Sequence, residues 1–314
     1  MPCDLGSLRF VVVAGKGGTG RTTVAAALSL AAARMGRRTL LAQVNAKDRL
    51  GVLLGVPVGE QVVTVRPRLD AVNMNPTAAL RQYGLMILKY EAIYKAVLEN
   101  RMIRGFLRAI PGLDDYSMLG KAWWHTTERD ASGRLKYDLV VVDAPATGHA
   151  VTMLRLPQAI LETAPEGPLT ATARDVRALL LDQARACMLI VTLAEEMPTV
   201  EAIELARKNE ERIGMRLGAV VVNQLWPRDL EENRALLRVI EEGGCGESDP
   251  LLEPLCRRAR MTHKRRQINE HYLDLLRQAM QAPLWELPLL FRPEFGAKEV
   301  EELSVVIEGL LKMG

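Results

Sequence analysis

The stretch RFVVVAGKGGTGRTT, residues 9–23, decides the fold of this chain. Its first part, Arg9–Ala14, is a run of mostly β-branched apolar residues, which is typical of a buried strand in a parallel sheet. A glycine-rich turn follows, and the Ala- and Leu-rich residues Thr23–Met35 predict a helix that ends at Gly36. A strand, a glycine-rich turn and a helix in this order form a phosphate cradle, because the helix N-terminus offers unpaired N–H groups and a positive dipole end.

The turn matches the phosphate-loop pattern Gly-x4-Gly-Lys-Ser/Thr at every fixed position except one, because Arg21 stands where the pattern has lysine. Arginine keeps the positive charge but is bulkier and prefers bidentate contacts, so we expect phosphate affinity to survive better than alignment for catalysis. Thr22 falls at the position whose hydroxyl binds Mg²⁺. The nucleotide-binding residues predicted in this segment are Gly15, Lys16, Gly17, Gly18, Thr19, Gly20, Arg21, Thr22 and Thr23.

Strands and helices alternate along the rest of the chain. Further strands are predicted at Thr39–Val44, Leu135–Asp143, Cys187–Leu193, Leu217–Val222 and Pro283–Leu287. This alternation implies an α/β fold with a doubly wound, mostly parallel sheet and helices on both faces. We expect residues 1–314 to form a single domain and residues 76–130 to be a helical insertion within it.

Composition excludes several classes of protein. The chain is 48% hydrophobic and 25% charged, as ordinary globular proteins are, and its net charge of +3 is too small to imply a nucleic-acid partner. Its four cysteines include no Cys-x-x-Cys pair, so we expect no zinc site. The chain shows no basic leader and no long apolar run, so we expect no stable membrane anchor and a cytoplasmic location.

Several segments resemble one family of ATPases. Lys16, directly after the first glycine of the loop, resembles the signature lysine of the deviant Walker A pattern Lys-Gly-Gly-x-Gly-Lys-Thr. Later segments resemble landmarks of the arsenite-pump and tail-anchored-protein-targeting ATPases, in the order that this family has them. These segments are DAPATGH at 143–149, MLRLP at 153–157, VTLAEEMP at 191–198, VNQL at 222–225 and PLLFRPEFG at 288–296.

The resemblance implies ATP and Mg²⁺ as cofactors and assigns roles at the phosphates. Lys16 would reach across a dimer interface to the nucleotide of the partner subunit. Thr22 and Asp143 would hold Mg²⁺, partly through water, which suits an ion that takes few protein carboxylates.

The resemblance also assigns a switch and an adenine site. Thr147, Gly148 and His149 would sense the γ-phosphate, with His149 as a structural residue rather than a general base. Asn223 and Pro288 would lie at the adenine.

One family landmark is altered. After the second strand the family has Ser/Thr-Asp-Pro-Ala-His, whereas this chain has Asn45 in place of the aspartate that positions the attacking water. An amide orients water but cannot accept its proton, which removes a contribution of ~10²–10⁴-fold. The catalytic candidates are therefore Lys16 and Asn45. Because Arg21 and Asn45 both depart from the family pattern, we expect the chain to bind ATP and to hydrolyse it slowly.

Three functions are compatible with these motifs. The first is a nucleotide-switched dimeric ATPase with impaired hydrolysis at its own site and a protein partner at residues 76–130. The second is a non-hydrolysing regulatory subunit in a heterodimer with an intact paralogue. The third is an ATPase that positions DNA or works at a membrane surface. The basic run at 257–266 has acidic neighbours, which indicates a solvated helix face and disfavours this third function.

Overall fold

The computed structural model describes most of the 314-residue chain. Asn45 and all but one of the residues from 77 to 111, which include most of the predicted insertion, lie outside the described residues. The described residues are 8–44, 49–76, 79, 112–228 and 253–312.

Eight strands form one sheet. They are β1 (Phe10–Gly15), β2 (Thr39–Val44), β3 (Val63–Arg66), β4 (Leu69–Met74), β5 (Leu139–Asp143), β6 (Ala186–Leu193), β7 (Leu217–Leu225) and β8 (Leu284–Pro288). Their order across the sheet is β3-β4-β2-β5-β1-β6-β7-β8. Every neighbouring pair is parallel except β3 and β4, which are antiparallel. The predicted α/β class with a mostly parallel sheet is therefore confirmed.

Helices cover both faces of this sheet. We number them α1 (Arg21–Arg34), α2 (Leu50–Leu54), α3 (Leu113–His125), α4 (Thr147–Thr163), α5 (Pro168–Leu181), α6 (Glu196–Arg212), α7 (Glu253–Ala279) and α8 (Ala297–Lys312). Helices α1, α2 and α8 share one core with the sheet, and α3 to α7 pack on the other face. No described helix is long and apolar enough to cross a bilayer.

The central strand β1 lies between β5 and β6, and its six residues are all buried. Helix α1 follows it and is buried along the whole of Val24–Ala33. Its many alanines allow close approach on two sides, because α1 packs against both the sheet and α8. The run of small residues after the glycine-rich turn thus fixes the phosphate loop between two layers.

Strand limits differ from the predictions by more than one residue at two places. β5 begins at Leu139 rather than Leu135, because residues 128–136 form a turn in which the Asp130 carboxylate accepts the backbone N–H groups of Ser132 and Arg134. β7 runs on to Leu225, past the predicted end at Val222, because it continues to pair with β8. The β3–β4 hairpin and helix α2 were not predicted.

The packing of α8 on α1 predicts a local stability effect. Ile307 is fully buried in this core, so Ile307→Ala should lower the free energy of unfolding by about 2–5 kcal/mol through lost burial and a cavity. Val305 on the same helix is exposed, and Val305→Ala should stay within about 0.5 kcal/mol. Urea unfolding of both variants measures the difference, and equal losses would show that α8 does not pack as described.

Candidate nucleotide-binding site

The glycine-rich loop leaves the carboxyl end of β1 and enters α1. Gly18 and Gly20 have φ angles of 90° and 88°, which glycine adopts without strain. A Cβ at Gly20 would overlap the side-chain amide of Asn223, and one at Gly15 would overlap the carbonyl of Val191. Side chains are therefore excluded at Gly15 and Gly20, where β6 and β7 approach the backbone of the loop.

The N-terminus of α1 points its first N–H groups at this loop. Gly20 is the N-cap residue, and no side chain caps the helix there. Thr19 does not cap it either, since its hydroxyl donates to the carbonyl of Lys16 at 3.0 Å. Uncapped N–H groups and the positive end of the helix dipole suit an anion, so the cradle fits phosphate oxygens.

Asp143 is the last residue of β5, and its carboxylate lies beside the start of α1. Its Oδ2 accepts the hydroxyl of Thr22 at 2.7 Å and the side-chain N–H of Gln43 at 3.0 Å. The residue is only 4% exposed, and its Oδ1 has no partner among the described residues. A hydroxyl and a buried carboxylate with a free oxygen match the ligands that Mg²⁺ takes, so Thr22 and Asp143 fit that ion.

Burial raises the pKa of Asp143. Hydrogen bonds from Thr22 and Gln43 and the charge of Arg21 act in the opposite direction and leave a net rise. A bound cation would remove this penalty, because a positive charge favours the ionised carboxylate.

Arg21 does not extend freely into the loop. Its guanidinium donates to the backbone carbonyl of Ala144, directly after Asp143. Burial lowers the pKa of Arg21, and the neighbouring Asp143 partly offsets that. The residue at the usual lysine position is thus engaged with the start of the predicted switch.

Lys16 also has a partner within the chain. Its Nζ lies 2.5 Å from Oε1 of Glu201, in the second turn of α6. Sequence reasoning missed Glu201, which lies three residues beyond the end of the VTLAEEMP landmark at 191–198.

Asn223 ties β7 to the phosphate loop. Its side-chain N–H donates to the carbonyl of Thr19 at 2.9 Å, and the residue is buried. Pro288 ends β8 and is exposed. Close by in the chain, the rings of Trp226 and Phe291 meet edge to face, with centroids 5.3 Å apart.

The predicted switch residues open helix α4. Thr147, Gly148 and His149 form its first turn, four to six positions after Asp143, and His149 is exposed. The structure brings Thr22, Asp143 and Arg21 together and joins Thr19 to Asn223. Thr147–His149 follow the two residues through which the switch contacts the loop, Asp143 (to Thr22) and Ala144 (to Arg21).

Asp143 and Asp138 should respond oppositely to the same substitution. The folded-state pKa of Asp143 is raised, so its ionised form destabilises the fold once the pH is above the pKa of the unfolded chain. Asp143→Asn removes that charge and should therefore raise the melting temperature of the protein at pH 7 without nucleotide.

Asp138→Asn is the matched control. The hydrogen bond to Arg38 holds the pKa of Asp138 below its usual range, so its charge stabilises the fold above that pKa. This variant should lower the melting temperature. Thermal unfolding of both measures the signs, and a large loss for Asp143→Asn would contradict the described environment.

Comparison with known proteins agrees with this geometry. Residues 8–165 match the anion-transporting ATPase family. The chain is 32% identical to ATPase BagA of Mycobacterium tuberculosis (strain H37Rv), over 73% of this chain and 69% of that protein. It is 26% and 23% identical to the arsenical pump-driving ATPases of Acidiphilium multivorum and Escherichia coli, over 74% of this chain and 42% of each relative. This chain belongs to the anion-transporting ATPase family and is, at the level of that family, an ATP-binding ATPase.

Proposed function

We propose that this chain is a nucleotide-switched ATPase that works as a dimer and hydrolyses ATP slowly at its own site. The observation that carries the proposal is the contact between Thr22 and Asp143 at the uncapped start of α1. It combines an anion cradle with oxygen ligands for a cation, which is what a nucleotide triphosphate with Mg²⁺ requires.

Different residues of the chain would bind the phosphates, the Mg²⁺ ion and the adenine. Backbone N–H groups of Gly15–Thr23 hold the phosphates, Thr22 and Asp143 hold Mg²⁺, and Asn223 with Pro288 lies near the adenine. Mg²⁺, when bound, neutralises phosphate charge that would otherwise oppose attack. Thr147, Gly148 and His149 lie four to six positions after Asp143, so movement of Asp143 on ligand binding would reach α4.

Two substitutions support slow hydrolysis. Arg21 donates to the carbonyl of Ala144, so its guanidinium must reorient before it serves a phosphate as the usual lysine does. Asn45, which stands at the position of the family's aspartate, cannot accept a proton from water. The same two residues favour the second candidate function, a regulatory subunit that binds ATP beside an active paralogue.

Lys16 supports the dimer. A lysine that served its own nucleotide would face the loop, whereas Lys16 faces Glu201 on α6. Nζ must leave that carboxylate before it reaches a second subunit, whether a copy of this chain or a paralogue. We infer that the Lys16–Glu201 ion pair opposes dimer closure. We further propose that residues 1–314 form a single domain and that a protein partner binds at residues 76–130.

Turnover tests the first half of the proposal. The double variant Arg21→Lys/Asn45→Asp restores both family residues and should raise steady-state ATP turnover by about 10²-fold. Phosphate release by the purified chain measures it, with Lys16→Ala added to both backgrounds as the control. Fast turnover of the unmodified chain that Lys16→Ala abolishes would contradict the impaired site.

Release of Lys16 tests the second half. Glu201→Gln removes the ion pair and should increase the dimer fraction when a slowly hydrolysed ATP analogue and Mg²⁺ are present. Glu204→Gln, which breaks an exposed ion pair to Lys208 on the same helix, is the control. Sedimentation measures the dimer, and an equal effect of both variants, or a smaller dimer fraction for Glu201→Gln, would refute the restraint.

A further inference from the structure

Helix α7 has an inner face that is fixed to the loops after β6 and β7. Asn269 donates to the carbonyl of Ala194 at 3.0 Å and accepts the backbone N–H of Trp226 at 2.9 Å. Arg266 donates to the carbonyl of Trp226 at 3.0 Å. These polar contacts hold a 27-residue helix rigidly beside the ends of two central strands.

The outer face of α7 carries an apolar seam. Met261, Ile268 and Leu275 are 53%, 44% and 38% exposed, although each is a large apolar side chain. They follow one another at seven-residue intervals, which places them on one line along a helix. Single exposed apolar residues are ordinary, but a line of three at this spacing is the pattern by which one helix packs against another.

Basic side chains flank this seam. Arg258, Lys264 and Arg265 lie three or four positions from Met261, on either side of the line. Within the described part of the chain these three form no ion pair. By contrast, Arg266 and Arg277 nearer the C-terminus are paired with Glu270, Asp274 and Glu286. Among the described residues these three cations therefore have no acidic partner, whereas Arg266 and Arg277 are neutralised by carboxylates of α7 and β8.

We propose that this outer face of α7 binds an amphipathic helix of a partner protein, one with an apolar seam and acidic flanks. The seven-residue spacing supplies the register, and the unpaired cations select acidic residues beside it. A membrane surface fits less well, because the seam is one residue wide and an interfacial helix needs a broad apolar face. The proposal goes beyond the proposed ATPase function and does not rest on it.

A designed peptide tests the face directly. The probe is a labelled helix of about three heptads with leucine along its seam and glutamate on both flanks, titrated by fluorescence anisotropy. Lys264→Glu/Arg265→Glu should weaken its binding roughly tenfold or more, because attraction becomes repulsion. Met261→Ser/Ile268→Ser should weaken it as well through lost apolar burial. Arg177→Glu/Arg212→Glu changes the net charge equally on exposed positions of α5 and α6, and should alter binding by less than about twofold.

A second peptide with lysine in place of the flanking glutamates tests whether the Lys264→Glu/Arg265→Glu variant is correctly folded. It should bind Lys264→Glu/Arg265→Glu more tightly than it binds the unmodified chain. Absence of peptide binding, or equal weakening by the control variant, would overturn the proposal. The face would have another occupant if binding to anionic vesicles, or self-association, depended on Lys264 and Arg265 while peptide binding did not. That result would also overturn the proposal.

Discussion

The carboxylate of Asp143 is the group on which the rest of the site depends. One of its oxygens joins three elements, because it accepts hydrogen bonds from Thr22 at the start of α1 and Gln43 on β2 while Asp143 itself ends β5. The other oxygen is buried without a partner in the described structure. A buried carboxylate is costly unless a positive charge compensates it, and Arg21 offsets only part of that cost, so a bound cation would stabilise this arrangement.

Three further polar or charged groups of the site have partners within the chain. Lys16 binds Glu201, Arg21 binds the carbonyl of Ala144, and Asn223 binds the carbonyl of Thr19. Each of these groups is thus held by another part of the chain. Phosphates and Mg²⁺ would offer stronger, charge-assisted partners for the same groups, and exchange of partners is the route by which the proposed switch would move α4 and α6.

The sequence predicted the phosphate loop and most central strands because continuous buried strands appear as uninterrupted apolar runs, as at Phe10–Ala14 and Leu139–Val142. It did not predict β3, a short edge strand, or β4, whose apolar run is interrupted by Asp70 and Asn73. Glu201 and Gln43 could not be found either. Their contacts with Lys16 and Asp143 span 185 and 100 positions, and nothing in either residue's local sequence signals them. Asn45 remains a prediction, as does the insertion at 76–130.

Binding of ATP in the presence and absence of Mg²⁺ tests the central claim most directly. Thermal unfolding of the unmodified chain should shift upward with ATP and Mg²⁺, shift less with ATP and a chelator, and change little with adenosine. The dependence on Mg²⁺ should disappear in Asp143→Asn while the phosphate-dependent shift persists in part. Equal shifts for ATP and adenosine, or a Mg²⁺ effect that survives Asp143→Asn, would contradict a phosphate and magnesium site built from the loop and Asp143.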